Sequence, residues 1–257
     1  MLTPEQIESF VDDGFVALRG AVPPDTVDAC RRDVSMQVRG TGVDLEDPAT
    51  WDRPVVRIVC PETPPFAEAG TRRVLWEAYE QLLAPVPWWH RPGVGGTIAV
   101  RFPHPDDPGD AGWHIDGSFA HADDLWVNVV SKARGLLVLF LLSDVTEHDA
   151  PTEIKVGSQL DVARLLEPFG EDGASFRTVS AQLPAATFER PSVWATGQAG
   201  DVFVCHPFVV HRATWPHTGR VPRAVAQPGV AIEAPLRLHA DDPSPVERAV
   251  QAGLSAP

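Results

Sequence analysis

Hydrophobic residues recur every three to four positions in about the first ninety residues, a spacing that predicts amphipathic helices. The first helix should begin after Thr3, because Pro4 and Gln6 follow it and allow a capping box to form. Gly14 should end this helix before a short strand, Phe15–Leu18. The same periodicity predicts two further helices, at about Pro24–Val38 and Thr71–Leu83.

The pattern changes after Pro92, where short apolar runs alternate with clusters of Pro, Gly and Asp. Such runs are typical of β-strands. The predicted strands are Thr97–Phe102, Leu125–Val130, Leu136–Leu142, Thr152–Val156, Val202–Cys205 and Ala224–Ile232. One helical insertion is predicted at about Asp161–Leu166. Helices followed by many short strands predict an α+β chain, mainly β, whose body is an antiparallel sandwich or barrel.

Length and composition are those of one globular domain. The chain has 257 residues, of which 44% are hydrophobic and 22% charged, and β-rich barrels of this size commonly form a single core. Because no repeat or long linker divides the chain, we expect one domain over residues 1–257. Within it we expect a helical part at about 1–90, a β-rich body at about 95–237 and a loose tail after about His239.

The charge balance argues against several classes of partner. The 21 basic and 35 acidic residues give a net charge of −14, which repels nucleic-acid phosphates and anionic lipids. The N-terminus lacks the pattern of a signal peptide and no apolar stretch approaches the ~20 residues of a membrane span. We therefore expect a soluble, cytoplasmic protein. Cys30, Cys60 and Cys205 are widely spaced and are expected to be buried thiols, not disulfides or zinc ligands.

Candidate metal ligands begin with the His-x-Asp spacing, which occurs four times. The pairs that begin at His104, His121 and His239 lie in segments dense in Pro, Asp or other polar residues, as is typical of solvated loops. Only His114 and Asp116 are framed by large apolar side chains. Residues two apart in an extended segment project to the same side, so this pair can chelate one ion.

A third ligand is expected much further along the chain, in the block Gly200–His211 or just after it. His206, His211 and His217 compete for this role. His217 lies in a predicted turn, and the alternative role of His206 is that of a hydrogen-bonded histidine at the edge of the core. We favour His211 because it ends an apolar extended run. Two imidazoles and one carboxylate hold Fe(II) on one octahedral face and leave the other face open.

The ordered set of motifs resembles the phytanoyl-CoA dioxygenase-like (PhyH-like) family of Fe(II)/2-oxoglutarate-dependent oxygenases. The similar pieces, which span most of the chain, are Asp13-Gly14-Phe15, His114-Ile115-Asp116, Pro151–Gln159 and the Gly200–His211 block. The resemblance implies a double-stranded β-helix, the cupin-like jelly roll, with N-terminal and flanking helices. It also implies Fe(II), 2-oxoglutarate as co-substrate and O₂, with His114, Asp116 and His211 as the metal ligands.

The resemblance further implies an arginine after the distal histidine that binds the far carboxylate of 2-oxoglutarate. Arginine suits this role because its planar fork binds a carboxylate in a bidentate manner. Arg223 follows Pro222 and begins a predicted strand, whereas Arg220 follows a turn, so we favour Arg223 over Arg220. Thr97 is expected to lend the co-substrate a hydroxyl, with an ordinary strand position as the alternative.

Three positions depart from the family pattern. Ile115 stands where the family often has Gln, and Gln159 replaces the histidine of its Gly-Ser-His element. Ala213 occupies the place of a serine that often helps to bind the co-substrate, and Thr214 is a candidate to compensate.

The expected activity is the oxidation of a small molecule. Related halogenases lack the carboxylate ligand, so the presence of Asp116 favours hydroxylation, or another oxidation of an unactivated C–H bond, over halogenation. The tryptophans near the predicted site suit a small, partly apolar substrate such as a secondary-metabolite intermediate. Two alternatives stay open: a cupin-like metalloenzyme that does not use 2-oxoglutarate, and a non-catalytic ligand-binding relative. The sequence leaves the substrate and the oligomeric state open.

Overall fold

The computed structural model describes residues 1–255. The α-helices of this range are α1 (Pro4–Asp13), α2 (Pro24–Arg39), α3 (Pro64–Gly70), α4 (Arg73–Leu83), α5 (Ser158–Leu166), α6 (Phe176–Ala181), α7 (Ala185–Glu189) and α8 (Pro245–Ser255). Two short 3₁₀ helices cover Pro48–Thr50 and Glu167–Phe169. The three helices predicted before residue 90 correspond to α1, α2 and α4, and the predicted insertion corresponds to α5.

The strands form three antiparallel sheets. They are β1 (Phe15–Leu18), β2 (Val55–Val59), β3 (Thr97–Arg101), β4 (Phe119–His121), β5 (Asp124–Val127), β6 (Leu136–Leu141), β7 (Glu153–Lys155), β8 (Ala174–Ser175), β9 (Ser192–Trp194), β10 (Val202–Cys205), β11 (His211–Arg212), β12 (Arg223–Gln227) and β13 (Gly229–Val230). The main sheet has the order β1-β10-β6-β12-β3-β2, and β13 pairs with β6. The smaller sheets have the orders β11-β7-β9 and β4-β5-β8.

The main sheet buries both of its faces, which explains why its strands are continuously apolar. Phe203 of β10 lies opposite Leu139 of β6, and these side chains pack with Ile154 of β7 inside the barrel. On the other face, Val204 lies opposite Val138 and packs against the helical layer. The structure thus confirms the predicted jelly roll, mainly β, with helices covering the outer face of the main sheet.

The first helix carries the predicted capping box. The Thr3 hydroxyl accepts a hydrogen bond from the Gln6 backbone N–H, and the Gln6 side chain accepts one from the Thr3 N–H at 2.9 Å. Gly14 ends the helix with φ 88°, where a Cβ would lie 2.4 Å from Oε1 of Gln159. Gln159 in turn donates to the Val11 carbonyl at 2.9 Å. The glutamine that departs from the family pattern therefore docks α5 against the end of α1.

The end of the chain corrects the prediction of a loose tail after His239. Helix α8 packs against α1 and α5, with Val246 and Val250 fully buried. The buried Glu247 carboxylate accepts hydrogen bonds from the backbone N–H groups of Arg237 and Ser244, at 2.5 and 2.7 Å. The density of Pro and Asp before the helix concealed its short apolar stripe. The last two residues of the predicted tail lie outside the described part of the chain.

Two predicted strands are shorter in the structure. Strand β5 ends at Val127 because the side-chain amide of the next residue, Asn128, forms hydrogen bonds with the backbone of two loops. Its Oδ1 accepts from the Lys132 N–H and its Nδ2 donates to the Glu171 carbonyl. The predicted strand after Arg223 is divided into β12 and β13 by Pro228, which has no N–H to donate.

Candidate metal centre

A single backbone bridge brings the two candidate histidines together. The N–H of His114 donates to the carbonyl of His211, and the N–H of His211 donates to the carbonyl of His114, each at 3.0 Å. The two imidazole centroids are 4.4 Å apart. His114 lies outside the three sheets, in an extended segment that has this one bridge.

The residues on either side of His114 anchor the segment. The Trp113 ring lies between two cations, with Cζ of Arg212 at 4.5 Å and Nζ of Lys155 at 5.0 Å from its centroid. Ile115 is fully buried, and its N–H donates to the Ser180 hydroxyl at 3.2 Å. Because residues alternate in an extended chain, His114 and Asp116 project to the opposite side from Ile115.

Asp116 completes a cluster of three ligand atoms. One ligand atom from each of His114, Asp116 and His211 lies within 4.8 Å of the other two. Both histidines have Nδ1 near a backbone carbonyl, that of Gly112 at 2.8 Å and that of Val209 at 3.2 Å. A hydrogen bond from Nδ1–H to a carbonyl orients the ring and leaves Nε2 free to bind a metal. This donor set fits a divalent transition metal.

The rival ligands lie elsewhere. His206 is fully buried in the core, where Nδ1 accepts from the Phe208 N–H at 3.1 Å and Nε2 lies 3.2 Å from the Val246 carbonyl. His217 is bridged to His104 and lies 4.0 Å from the Asp149 carboxylate. Among residues 1–255, no other group of His, Cys, Asp and Glu has metal-binding geometry. The choice of His211 over His206 and His217 thus agrees with the geometry.

Burial and charge keep His211 and Asp116 in the protonation states that metal binding needs. Burial, with the neighbouring His114, lowers the pKa of His211 to about 4, so its imidazole is neutral at neutral pH. Burial alone would raise the pKa of Asp116, but the nearby Arg134 and the two histidines outweigh it and hold this pKa below its usual value. A neutral imidazole and an ionised carboxylate are the forms that coordinate metal ions.

The structure adds Arg134, which the sequence analysis missed. Its Nη1 donates to Oδ2 of Asp116 at 2.6 Å, and Arg134 lies in the turn before β6. This ion pair leaves Oδ1 of Asp116 directed towards His211, 3.9 Å from its Nε2. No motif marks Arg134, because only the folding of that turn brings it to Asp116.

Two cavities meet at the cluster. The outer cavity, of about 490 Å³, is lined by His114, Asp116 and His211 together with residues that include Thr97, Arg134 and Phe176. The deep cavity, of about 210 Å³, is lined by His114, His211 and residues that include Arg101, Asp110, Thr152 and Arg223.

The structure separates the three residues predicted to bind the co-substrate. Arg223 begins β12, is 2% exposed and lines the deep cavity, where its Nη2 donates to the Thr152 hydroxyl at 2.9 Å. Burial, with the adjacent Arg101, lowers the pKa of Arg223 to about 9 against the opposing effect of Asp110 and Asp149, so the guanidinium is still charged at neutral pH. Arg220 is exposed and lines a different cleft beside α2. Thr97 lines the outer cavity and not the deep one.

The structure also shows which residue places a hydroxyl near Ala213, the position where the family pattern has a serine. Ala213 lines the deep cavity, as the serine of the family pattern would. Thr214 does not compensate, because its hydroxyl donates to the Pro151 carbonyl at 2.6 Å. The hydroxyl in the deep cavity belongs to Thr152, the second residue of the Pro151–Gln159 element.

A jelly roll that brings two histidines and one aspartate together at the meeting of two cavities has the architecture of a non-haem iron enzyme. The chain belongs to the phytanoyl-CoA dioxygenase (PhyH) family, whose model matches residues 10–225. This family lies within the Fe(II)/2-oxoglutarate-dependent oxygenases, so the predicted family and the predicted use of Fe(II), 2-oxoglutarate and O₂ are confirmed. No curated protein matches the chain.

Solved structures share the fold. SnoK, a non-haem alpha-ketoglutarate-dependent carbocyclase from nogalamycin biosynthesis, is 20% identical with a TM-score of 0.62, over 91% of this chain and 85% of its own. HygX from Streptomyces hygroscopicus, with nickel and 2-oxoglutarate bound, is 17% identical with a TM-score of 0.57, over 92% and 90%. EctD from S. alaskensis, in its apoform, is 18% identical with a TM-score of 0.54, over 90% and 77%. At these identities the likeness shows the fold.

Within residues 1–255, no helix combines the length and the apolar character that crossing a membrane requires.

Proposed function

We propose that the protein is an Fe(II)/2-oxoglutarate-dependent oxygenase that hydroxylates an unactivated C–H bond of a small organic molecule. The observation that carries this proposal is the convergence of His114, Asp116 and His211 where the deep and outer cavities meet. One cavity then receives the co-substrate and the other the substrate, and both reach the same metal.

The three ligands have defined tasks in this proposal. Nε2 of His114 and of His211 and one carboxylate oxygen of Asp116 hold the iron, while the backbone carbonyls at the two Nδ1 atoms orient the rings. Bound Fe(II) supplies the activation of O₂, with 2-oxoglutarate as the electron donor. Arg134 holds the second oxygen of Asp116 and so limits the rotation of the carboxylate.

The deep cavity is the proposed site of 2-oxoglutarate. Arg223 would bind its far carboxylate, and its keto-acid end would lie towards the metal held by His114, Asp116 and His211. A buried arginine binds a carboxylate strongly because little water competes for its N–H groups. Arg223 and Thr152 are each 2% exposed, which keeps this end of the cavity dry.

The outer cavity is the proposed site of the substrate. Its volume of about 490 Å³ lies within the ~300–1,000 Å³ range of small-molecule sites. Phe176 and Leu125 give it apolar wall, while Thr97, Gln227 and Arg134 give it polar groups. A solved structure of HygX holds hygromycin B, and one of SnoN holds nogalamycin RO. By analogy we propose a small organic substrate, such as a secondary-metabolite intermediate.

The proposed reaction type rests on Asp116. Asp116 would be a third protein ligand on a bound metal, so no position would remain for a halide once 2-oxoglutarate and O₂ are bound. Hydroxylation is therefore favoured over halogenation.

Anaerobic absorption spectroscopy tests the proposal. Fe(II) followed by 2-oxoglutarate should produce a visible charge-transfer band in the wild-type protein, and admission of O₂ should yield succinate. Asp116→Ala should lose both the band and the succinate, while Asp123→Ala, which removes the aspartate of an exposed His-x-Asp pair, should retain both. Iron binding without a band would overturn the role of 2-oxoglutarate, and absence of iron binding would overturn the metal centre.

A further inference from the structure

The deep cavity places two arginines side by side. Arg101 of β3 and Arg223 of β12 are directly paired in the antiparallel register, and both line the cavity. They are 4% and 2% exposed. Like charges directly opposite each other on neighbouring strands repel, and the repulsion is stronger where water is excluded. This pair is therefore costly unless an anion lies between the two guanidinium groups.

Among the described residues that line this cavity, only Asp110 carries a carboxylate. Nη2 of Arg101 donates to Oδ2 of Asp110 at 2.6 Å, and Arg57 pairs with the same oxygen from the exposed side. Among the residues lining the deep cavity there are thus three arginines, Arg57, Arg101 and Arg223, and one acid, Asp110. Asp110 contacts Arg101 and not Arg223, and among residues 1–255 no carboxylate lies within salt-bridge distance of Arg223, although that of Asp149 is nearby.

The hydrogen-bond donors of both buried arginines are incompletely used. Within residues 1–255, neither Nε of Arg101 nor Nε of Arg223 has a hydrogen-bond partner. An unpaired buried donor is costly, and the cost is larger for a charged group. Thr152 accepts a hydrogen bond from Arg223, so its own hydroxyl hydrogen is free to donate. A carboxylate has two oxygens, each able to accept two hydrogen bonds, and it matches these donors in number and charge.

We propose that Arg101 is a second binding residue for the distal carboxylate of 2-oxoglutarate, which lies between Arg101 and Arg223. Asp110 is the positioning residue that holds Arg101 at the cavity. This inference rests on the proposed function, because it assumes that 2-oxoglutarate occupies the deep cavity. Asp110 precedes the metal-binding segment by only a few residues, so the contact also ties the loop that carries His114 to β3.

A comparison of two keto acids separates binding from folding. 2-Oxopentanoate has the same carbon chain as 2-oxoglutarate and can chelate the metal, but it lacks the distal carboxylate. Each acid is titrated anaerobically into Fe(II)-loaded protein, and its dissociation constant is taken from the charge-transfer band. Arg101→Gln should raise the constant for 2-oxoglutarate about 10- to 100-fold, as loss of a charge-assisted hydrogen bond does. The constant for 2-oxopentanoate should change less than about twofold, because no carboxylate reaches Arg101.

Two further variants sharpen this test. Asp110→Asn should raise the constant for 2-oxoglutarate alone, by less than Arg101→Gln does, because Arg101 keeps its charge but loses its positioning contact. Arg53→Gln removes one positive charge from an exposed arginine paired with Asp52 and should change neither constant. An equal loss of affinity for both acids in Arg101→Gln, or no loss for either, would overturn the inference while the proposed function stands. No band with either acid in the wild-type protein would overturn both.

Discussion

The deep cavity and the outer cavity share His114, His211 and Gln227 but differ in the rest of their walls. The deep cavity is built from neighbouring strands of the main sheet, and its two paired arginines, Arg101 of β3 and Arg223 of β12, are almost fully buried. The outer cavity lies at the ends of these strands and is lined mostly by turns, and residues such as Thr97 and Leu125 are exposed.

Under the proposed function, the difference follows from what each cavity would hold. A co-substrate common to a whole class of enzymes needs the same arrangement of charged side chains in each of them, and a rigid sheet holds such side chains in place. A substrate varies from enzyme to enzyme, and loops around a rigid scaffold are the parts of a protein that vary most easily. The residues of the deep cavity are thus expected to determine co-substrate affinity, and those of the outer cavity to determine which molecule is oxidised.

Loss of a shared metal ligand should have the largest effect, because it disables both cavities. His211→Gln should weaken Fe(II) binding about 100-fold or more, since even partners outside the ligand set are worth ~10–100-fold. His206→Gln is the matched control, a buried histidine of the same chain segment that lies outside the cluster. Titration of both variants with Fe(II) checks the prediction. Equal weakening in the two variants would mean that His211 is not a ligand.

Loss of Arg223 should affect the deep cavity and not the metal centre that the two cavities share. Arg223→Gln should raise the dissociation constant for 2-oxoglutarate about 10- to 100-fold, because a charge-assisted contact in a buried site is lost. Fe(II) affinity without the co-substrate should not change, since Arg223 is not a ligand. Arg220→Gln, which alters an exposed arginine in another cleft, is the matched control and should behave as wild type. A stronger effect from Arg220→Gln would reverse the assignment.

A change of pH should alter the stability of the whole fold, through a histidine that lines neither cavity. Burial lowers the pKa of His206 to about 3 from its ordinary value of 6.5. The unfolded chain binds a proton at His206 below pH 6.5 and the folded protein does not, so stability is lost as the pH falls below 6.5. Between pH 8 and pH 5.5 this histidine should account for about 1.4 kcal/mol of lost stability.

Denaturant unfolding of the metal-free protein and of His206→Gln at the two pH values measures this contribution. The free energy of unfolding should fall less in the variant, by about that 1.4 kcal/mol, because glutamine does not titrate. Identical pH dependence in both proteins would show that His206 is not held neutral by burial.

Thr97→Val should have the smallest effect on the co-substrate. Thr97 lines the outer cavity, so the loss of its hydroxyl should change the dissociation constant for 2-oxoglutarate less than about twofold, within the range of a substitution without a shared contact. The same spectroscopic titration checks it. A loss comparable to that of Arg223→Gln would place the co-substrate nearer the outer cavity than we propose.

Much of the fold was predictable because its local signals agree. The capping box at Thr3, the helical spacing that follows it and the apolar runs of β6 and β10 each predict the element that the structure has. Helix α8 was missed because its apolar stripe is short and follows a segment dense in Pro and Asp. It is helical because α1 and α5 bury Val246 and Val250, which is a tertiary effect.

The residues of the candidate site also fall into those that the sequence indicates and those that it does not. His114, Asp116 and His211 could be chosen from the sequence, because local apolar context and spacing distinguish them from their rivals. Arg134 and Arg101 could not, since no spacing relates them to the ligands and arginine is common in ordinary strands and turns. Thr152 lies within the Pro151–Gln159 element, but that element does not indicate which of its side chains reaches the cavity. The expectations for Thr214 and Thr97 placed a hydroxyl by proximity along the chain, whereas the structure places that of Thr152 in the deep cavity.

By itself the sequence determined the type of fold, the family and the three candidate ligands, because each depends on residue type and on spacing over a few residues. Only the tertiary structure decided that Arg101 lies opposite Arg223, that Asp110 neutralises one of the two, and that Arg134 holds Asp116. These contacts depend on strand register and on the path of turns. Both are set by how the whole core packs, and the local sequence does not encode them.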